Sequence, residues 1–148
     1  MRSITGEIVG SATGVTVMDM EASIEHMSRG TVRHADVLLV VVEPYYRSLE
    51  TAGRIVPLAR GLGISRIYGI ANKLRGKQDE EAVKAYSDNH ELELIATLPY
   101  DEGVIEADRT GRALIDYDIA SPIVAELERV ADLLQRETAA NGDKSGGR

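Results

Sequence analysis

The sequence predicts an α/β fold in which a mostly parallel, four-stranded sheet is flanked by helices. Apolar runs rich in β-branched residues alternate along the chain with segments whose apolar residues recur at helical spacing. The clearest strand is 36–43, whose continuous apolar run is typical of a strand buried on both faces. A parallel order follows, because strands separated by helices enter one sheet through crossovers.

Four strands and four helices are predicted in alternation. The strands are 14–19, 36–43, 66–71 and 92–98. The helices are 47–62, 80–87, 102–109 and one that begins near Ser121, an expected N-cap followed by Pro122. Pro57 predicts a kink or a break in the first helix. We expect a single α/β domain over residues 1–137 and a disordered tail over 138–148.

Composition and charge limit the classes of function. A chain of 148 residues is long enough for one domain with its own core. The net charge of -7 argues against nonspecific nucleic-acid binding, and the absence of Cys excludes disulfides and thiolate metal ligands. No apolar run is long enough to span a bilayer. We therefore expect a cytoplasmic protein with no nucleic-acid partner and no membrane span.

The four predicted strands end in polar or special residues, namely Asp19, Glu43, Asn72 and Pro99. In parallel sheets ligands bind beyond the carboxyl ends of the strands, so these ends suggest a site. Polar loops alone would also explain them. Asp19 has the chemistry either to hold Mg²⁺ through water or to cap a turn. Asn72 has the chemistry either to pair with an adenine edge or to form a turn.

The segment 19–31 reads Asp-Met-Glu-Ala-Ser-Ile-Glu-His-Met-Ser-Arg-Gly-Thr and resembles the switch region of the MinD/ParA-like ATPases. It is most similar to the CooC-type ATPases that mature nickel carbon monoxide dehydrogenase. The similarity continues, in order, through 42–44, 47–52, 71–73, 98–101 and 106–111. It covers nearly the whole chain up to the tail, and it is the combination of these motifs that makes it specific.

The resemblance implies that the chain corresponds to the C-terminal half of a deviant P-loop ATPase. The fold is then a partial P-loop NTPase-like fold without the N-terminal phosphate-loop strand, which would lie between the strand ending at Asp19 and 36–43. The sequence contains neither Gly-x-x-x-x-Gly-Lys-Ser/Thr nor the Cys-x-Cys motif of CooC-type proteins. Ser23 replaces the family's switch Gly. Direct pairing of the flanking strands, a second chain, or a truncated reading of a longer gene would each account for the gap.

The resemblance also implies two groups of site residues. The expected catalytic residues are Asp19 and Glu21, and Asp19 is also expected to hold Mg²⁺ through water. The expected nucleotide-binding residues are Asn72, Lys73, Pro99, Tyr100 and Asp101. Adenine is favoured over guanine, because Arg75 stands where the guanine-reading pattern has Asp.

The implied function is that of an ATP-binding protein with ATP and Mg²⁺ as family cofactors and ATP-dependent nickel metallocentre maturation as the parent role. A homodimer or another protein, such as nickel carbon monoxide dehydrogenase, is the expected partner. Little or no ATPase activity is expected of this chain alone, since hydrolysis relies on a phosphate-loop Lys.

Two alternatives belong to other classes. The first is a catalytically silent interaction module that binds a full-length ATPase or a client enzyme through 23–32 and Tyr45–Tyr46. For the two tyrosines themselves, packing against the fold is the expected role, since Tyr is amphipathic and often half-exposed. The second is a receiver-like regulatory domain, which Asp19 and Lys73 fit but which lacks the paired upstream acids.

Overall fold

The computed structural model describes residues 15–20 and 35–145, and within these ranges it contains one parallel sheet and five helices. The sheet has the order β1-β2-β3, which is also the chain order. The strands are β1 (Leu38–Val42), β2 (Ile67–Leu74) and β3 (Glu93–Pro99). The helices are α1 (Tyr46–Gly61), α2 (Lys77–Asn89), α3 (Glu102–Arg109), α4 (Leu114–Tyr117) and α5 (Pro122–Ser145). The predicted α/β class and parallel pairing are confirmed.

The sheet has three strands in the described residues, and the prediction of a fourth strand at 14–19 was wrong for the part of it that the structure describes. Residues 15–20 are irregular. Val15 and Val17 are 74% and 87% exposed, and none of the described strands pairs with this β-branched run. β-propensity reflects packing on a sheet rather than an intrinsic backbone preference, so the run alone does not form a strand.

One face of the sheet is covered by α1 and α2. Alternate residues of β1 point into this core, where Val40 and Val42 are 5% and 0% exposed. The helices contribute Ala52, Ile55, Val56, Ala59 and Val83 to the same cluster. Gly69 lies in β2, where an added Cβ would come within 2.7 Å of Leu94 Cδ2 and 3.1 Å of Leu92 Cγ. A larger residue at this position would therefore require the Leu92 and Leu94 side chains to shift.

The opposite face is covered by α5 only over β2 and β3. Its core consists of Ile70, Ile95, Ala96, Leu98, Ile123 and Val130. The corresponding side chains of β1, Leu39 and Val41, are 37% and 54% exposed. Within the part of the chain that the structure describes, β1 thus carries an apolar surface that no helix covers.

Capping and pinning contacts place α5 on the sheet. Ile123 N–H donates to Ser121 Oγ at 3.2 Å, which confirms Ser121 as the predicted N-cap of α5. Farther along α5, Glu137 Oε2 accepts a hydrogen bond from the Tyr68 hydroxyl of β2 at 2.9 Å. Burial and this hydrogen bond raise the pKa of Tyr68. α5 continues to Ser145, so it passes the predicted domain end at residue 137, which stays a prediction.

Of the other predicted helices, α1 and α2 are present with shifted ends. α1 contains Pro57 in its last turns and is not broken there. α3 has the predicted bounds, because the Asp101 carboxylate caps it by accepting from Gly103 N–H at 2.7 Å. None of the helices in the described ranges combines the length and apolarity needed to cross a membrane.

Candidate functional site

The carboxyl ends of the three strands meet at one rim of the sheet. Glu43 directly follows β1, Asn72 and Lys73 lie just before the last residue of β2, and Pro99 ends β3. β2 and β3 stay paired to this edge, where Leu74 lies opposite Pro99 and Tyr100 N–H donates to Leu74 O at 2.8 Å. The structure therefore brings together three of the four strand ends predicted to meet at one rim, whereas Asp19, the fourth, does not end a strand.

Glu43 and Lys73 form an ion pair across the ends of β1 and β2. Lys73 Nζ lies 2.6 Å from Glu43 Oε1, and the two side chains are 52% and 28% exposed. The hydrogen bond and the charge of Glu43 raise the pKa of Lys73, so this lysine carries its proton throughout the neutral range. The order of the strands predicts both residues at the rim, but nothing in their sequence spacing predicts this pair.

The backbone of Lys73 has an unusual conformation. Its φ is 58°, in the left-handed region, which costs a residue with a Cβ about 1–2 kcal/mol. The strain coincides with an irregularity in the sheet: from the pair Ala71–Thr97 to the pair Leu74–Pro99, β2 advances three residues and β3 two. Asn72 Oδ1 accepts a hydrogen bond from Lys73 N–H at 3.0 Å. Strained residues of this kind concentrate at functional sites, and this one lies at the rim.

Arg75 and Tyr100 stack above the β2–β3 junction. The guanidinium carbon of Arg75 lies 3.8 Å from the centre of the Tyr100 ring, which is a close cation–π contact. The backbone of Arg75 is fixed as well, because its N–H donates to Asp79 Oδ2 at 2.9 Å. The stack presents a flat, cationic surface at the end of β2 and β3. The sequence spacing of Arg75 and Tyr100 does not predict this contact, because it depends on the register between β2 and β3.

Asp101, predicted as a nucleotide-binding residue, serves the fold in this structure. One carboxylate oxygen caps α3, and the other accepts from Ser121 Oγ at 3.4 Å. Ser121 in turn caps α5, so Asp101 links the starts of two helices. Both of its oxygens are thus engaged, and a direct contact with a ligand stays a prediction.

Of the predicted catalytic residues, Glu21 lies outside the described residues. Asp19 is exposed in the irregular segment 15–20, and no hydrogen bond or ion pair joins it to another described residue. The described residues include no cluster of three His, Cys, Asp or Glu side chains that would hold a metal. A lone, exposed carboxylate suits Mg²⁺ that keeps most of its water and binds phosphate oxygens.

The two tyrosines after β1 are not packed into the fold. Tyr45 and Tyr46 are 52% and 76% exposed, so the expectation that packing explains them was wrong for this chain. Just before them, Glu43 N–H donates to Ser48 Oγ at 2.9 Å, which fixes the turn from β1 into α1. This turn holds the tyrosine rings out at the rim.

A parallel sheet with polar groups at its strand ends and helices on both faces belongs to the class of doubly wound α/β folds, in which ligands bind beyond the carboxyl ends of the strands. Comparison with known structures agrees. The MinD cell division protein of Aquifex aeolicus superposes with a TM-score of 0.59 at 24% sequence identity, over 71% of this chain and 46% of that chain. At this identity the match establishes the fold.

Sequence comparison narrows the class. The carbon monoxide dehydrogenase accessory protein CooC of Rhodospirillum rubrum is 37% identical over 136 residues, which cover 88% of this chain and 51% of that protein. An uncharacterised ATP-binding protein of Methanocaldococcus jannaschii is 33% identical over 130 residues, covering 88% of this chain and 49% of the relative. The septum site-determining protein MinD of Thermotoga maritima is 28% identical over 117 residues, covering 75% and 43%. No family model matches the chain.

These relatives confirm the resemblance read from the motifs. The chain is a protein related to the MinD/ParA-like ATPases, and specifically to those of CooC type. It spans about half the length of the curated relatives that it matches.

Proposed function

We propose that the chain forms the base-binding side of an ATP site in a cytoplasmic CooC-type protein, whose parent role is ATP-dependent maturation of a nickel centre with carbon monoxide dehydrogenase as the client. The observation that carries this proposal is the 37% identity over 136 residues to a carbon monoxide dehydrogenase accessory protein. The rim supports it, because the family's nucleotide-binding motifs fall together there.

The rim has suitable chemistry for an adenine. Asn72 Nδ2 supplies donors for a ring nitrogen of adenine, and Oδ1, which accepts from Lys73 N–H at 3.0 Å, keeps a second lone pair for the exocyclic amino group. The Arg75–Tyr100 stack, with 3.8 Å between guanidinium and ring, supplies a flat surface for a base or ribose. Lys73 contributes little net charge, since Glu43 lies 2.6 Å from its ammonium.

Asp19 and Glu21 are the proposed catalytic-side residues. Asp19 would hold the water shell of Mg²⁺, and Glu21 would order water in the segment that follows. Bound Mg²⁺ would neutralise charge on the phosphate oxygens. The phosphates also need convergent backbone N–H groups and a Lys, and the 148 residues contain no Gly-x-x-x-x-Gly-Lys-Ser/Thr motif. We therefore expect the 148-residue chain by itself to hydrolyse little or no ATP.

Calorimetry with the purified chain tests the nucleotide proposal. We expect Mg-ATP to bind more tightly than Mg-GTP, and Asn72→Ala to weaken ATP binding about five-fold, the value of one hydrogen bond of about 1 kcal/mol. Asn89→Ala, at the exposed end of α2, is the matched control and should leave the affinity unchanged. Equal affinity for both nucleotides, or equal effects of the two Asn substitutions, would remove the base-side assignment.

A phosphate-release assay tests the expected inactivity. Release of phosphate from Mg-ATP by the wild-type chain should not exceed that of the Asp19→Ala variant. Sustained turnover that depends on Mg²⁺ and disappears in Asp19→Ala would show that the chain completes a catalytic site and would contradict this part of the proposal.

A second candidate function is a catalytically silent interaction module. It is favoured by the two exposed tyrosines at the rim, Tyr45 at 52% and Tyr46 at 76%. Amphipathic aromatic rings of this kind are enriched in protein interfaces. The test is a size-exclusion run of the chain with a full-length CooC-type homologue. Co-elution that Tyr45→Ala with Tyr46→Ala abolishes, and that Asn72→Ala leaves intact, would favour this function over nucleotide binding.

A further inference from the structure

Tyr100 is held at the rim by hydrogen bonds on both sides of its backbone. Its N–H donates to Leu74 O at 2.8 Å, which ties it to the end of β2. The next residue, Asp101, accepts from Gly103 N–H at 2.7 Å and from Ser121 Oγ at 3.4 Å, at the starts of α3 and α5. The backbone that carries the half-buried ring is therefore fixed before any ligand binds, and such preorganisation favours binding.

The guanidinium of Arg75 lies on this ring. Its central carbon is 3.8 Å from the ring centre, and the Arg75 N–H donates to Asp79 Oδ2 at 2.9 Å, which holds the backbone before α2. No carboxylate or carbonyl among the described residues accepts a hydrogen bond from the Arg75 side chain. The Tyr100 ring is thus its contact within the described part of the chain, and its N–H donors remain available.

This use of an arginine differs from that elsewhere in the chain. Four other arginines form ion pairs with glutamates, namely Arg54, Arg60, Arg109 and Arg129. Lys73, two residues before Arg75, is also paired, with 2.6 Å between its ammonium and Glu43 Oε1. Arg75 is therefore the cation at the end of β2 whose charge no described carboxylate offsets by an ion pair.

A guanidinium that stacks on one ring leaves its opposite face for a second flat group. Arg75 is exposed, and no second ring of the described residues lies on it. The guanidinium is planar and weakly hydrated, so it stacks on π systems, which the compact ammonium of lysine does not do. A purine, with two fused rings, covers this face more completely than the single ring of a pyrimidine.

We propose that the base of a bound nucleotide stacks on the open face of Arg75, so that Arg75 lies between the base and Tyr100 and sets a preference for purines. This proposal rests on the proposed nucleotide binding and deepens it by naming the residue that contacts the ring. Tyr100 then acts through Arg75 as a positioning residue. Face-to-face stacking does not separate adenine from guanine, which is left to the edge contact of Asn72.

Nucleosides test the stacking in the absence of phosphates. The Arg75 Nε–H signal of the ¹⁵N-labelled 148-residue chain is followed at mildly acidic pH during titration with adenosine or cytidine. We expect the ring current of adenosine to shift this signal, and cytidine to shift it less at the same concentration. Arg54, which pairs with Glu50 on α1, is the control whose signal should not move. An unmoved Arg75 signal in adenosine, or equal shifts with both nucleosides, would overturn the inference.

Arg75→Lys separates stacking from a contact with phosphate. Lysine keeps the charge and binds phosphate as a point charge, but it has no flat face. We expect Arg75→Lys to weaken Mg-ATP binding about five-fold and to bring the ratio of Mg-ATP to Mg-CTP affinity closer to one. Arg54→Lys is the matched control and should leave both values unchanged. Wild-type affinity and ratio in Arg75→Lys would overturn the inference and leave the proposed nucleotide binding in place.

Two substitutions of Tyr100 test its supporting role. Tyr100→Phe keeps the ring and should keep the wild-type ratio of Mg-ATP to Mg-CTP affinity. Tyr100→Leu removes the ring and should lower the ratio as Arg75→Lys does, and the two together should lower it no further, because both break one stack. Additive losses would show that Tyr100 contacts the nucleotide by itself and would overturn its assignment as a positioning residue.

Failure of the wild-type chain to bind Mg-ATP would contradict the proposed function. The nucleoside titration would still decide the role of Arg75, because it does not depend on any contact with phosphate.

Discussion

At the scale of single residues, the contacts of Arg129 attach α5 to the face of the sheet opposite α1 and α2. Arg129 donates to Glu126 Oε1 at 2.7 Å and also to the backbone carbonyl of Ile95 in β3. The hydrogen bond from Arg129 lowers the pKa of Glu126, although partial burial of the carboxyl acts in the opposite direction. Glu126 therefore favours the folded state in its ionised form.

This shift predicts a pH dependence of stability. Because the folded pKa of Glu126 lies below its unfolded value of about 4.3, its contribution is complete at neutral pH and is lost as the pH falls through the folded pKa. Urea unfolding at pH 7 and pH 3 should show a smaller loss of stability for Glu126→Gln than for wild type. Glu128→Gln, on the exposed side of the same helix, should keep the wild-type loss. A wild-type pH dependence in Glu126→Gln would contradict the assignment.

The positions of single residues could be predicted from the sequence where they depend only on the parallel order of neighbouring strands. Asn72, Lys73 and Pro99 reach one rim because parallel strand ends must share an edge. Contacts that depend on strand register, such as the stacking of Arg75 on Tyr100, could not be predicted from the sequence. The sequence also could not show that Asp101 is already engaged as a cap, since capping and ligand binding use the same carboxylate.

At the scale of elements, β2 is closely packed at position 69. An added Cβ would approach Leu94 Cδ2 to 2.7 Å and Leu92 Cγ to 3.1 Å, so these leucine side chains would have to shift. Leu92 is 3% exposed. The α1–α2 face of the sheet is thus tightly packed around this strand.

Gly69→Ala should therefore destabilise the chain by about 1–3 kcal/mol through overpacking. The matched control is Gly61→Ala, because a Cβ at Gly61 meets nothing within 4 Å. In that helical position alanine should stabilise the chain by about 0.5 kcal/mol by restricting the unfolded state. Chemical denaturation of both variants measures the two effects. A stable Gly69→Ala variant would show that Leu92 and Leu94 repack without cost.

Element prediction worked best where a local signal coincides with packing. α3 has the predicted bounds because a capping Asp precedes an amphipathic segment. The run 15–19 has the same β-branched composition as a strand, but composition carries no information on whether a partner strand lies alongside. α1 passes through Pro57 on its exposed side, where packing of the buried face maintains the helix.

At the scale of the whole molecule, no helix among residues 35–145 covers the side of β1 that faces away from α1. The outward side chains Leu39 and Val41 are 37% and 54% exposed, while their inward neighbours are buried. Apolar surface on an edge strand promotes association between chains.

Val41→Thr should reduce binding of the dye ANS and concentration-dependent association in sedimentation velocity. Threonine keeps the β-branched shape, so the free energy of unfolding should change by no more than about 0.5 kcal/mol, as for surface substitutions. Val104→Thr is the control, because Val104 is also exposed, at 39%, but lies on α3. An unchanged ANS signal in Val41→Thr would indicate that this strand face is covered in solution.

The three strands that the structure describes stand side by side in the order in which they are synthesised. Each of these βα units therefore finds its docking edge on the unit that left the ribosome just before it. Chains emerge at about 5–20 residues per second, slowly compared with the formation of helices. Vectorial growth of the sheet, one crossover at a time, is the assembly route that this topology permits.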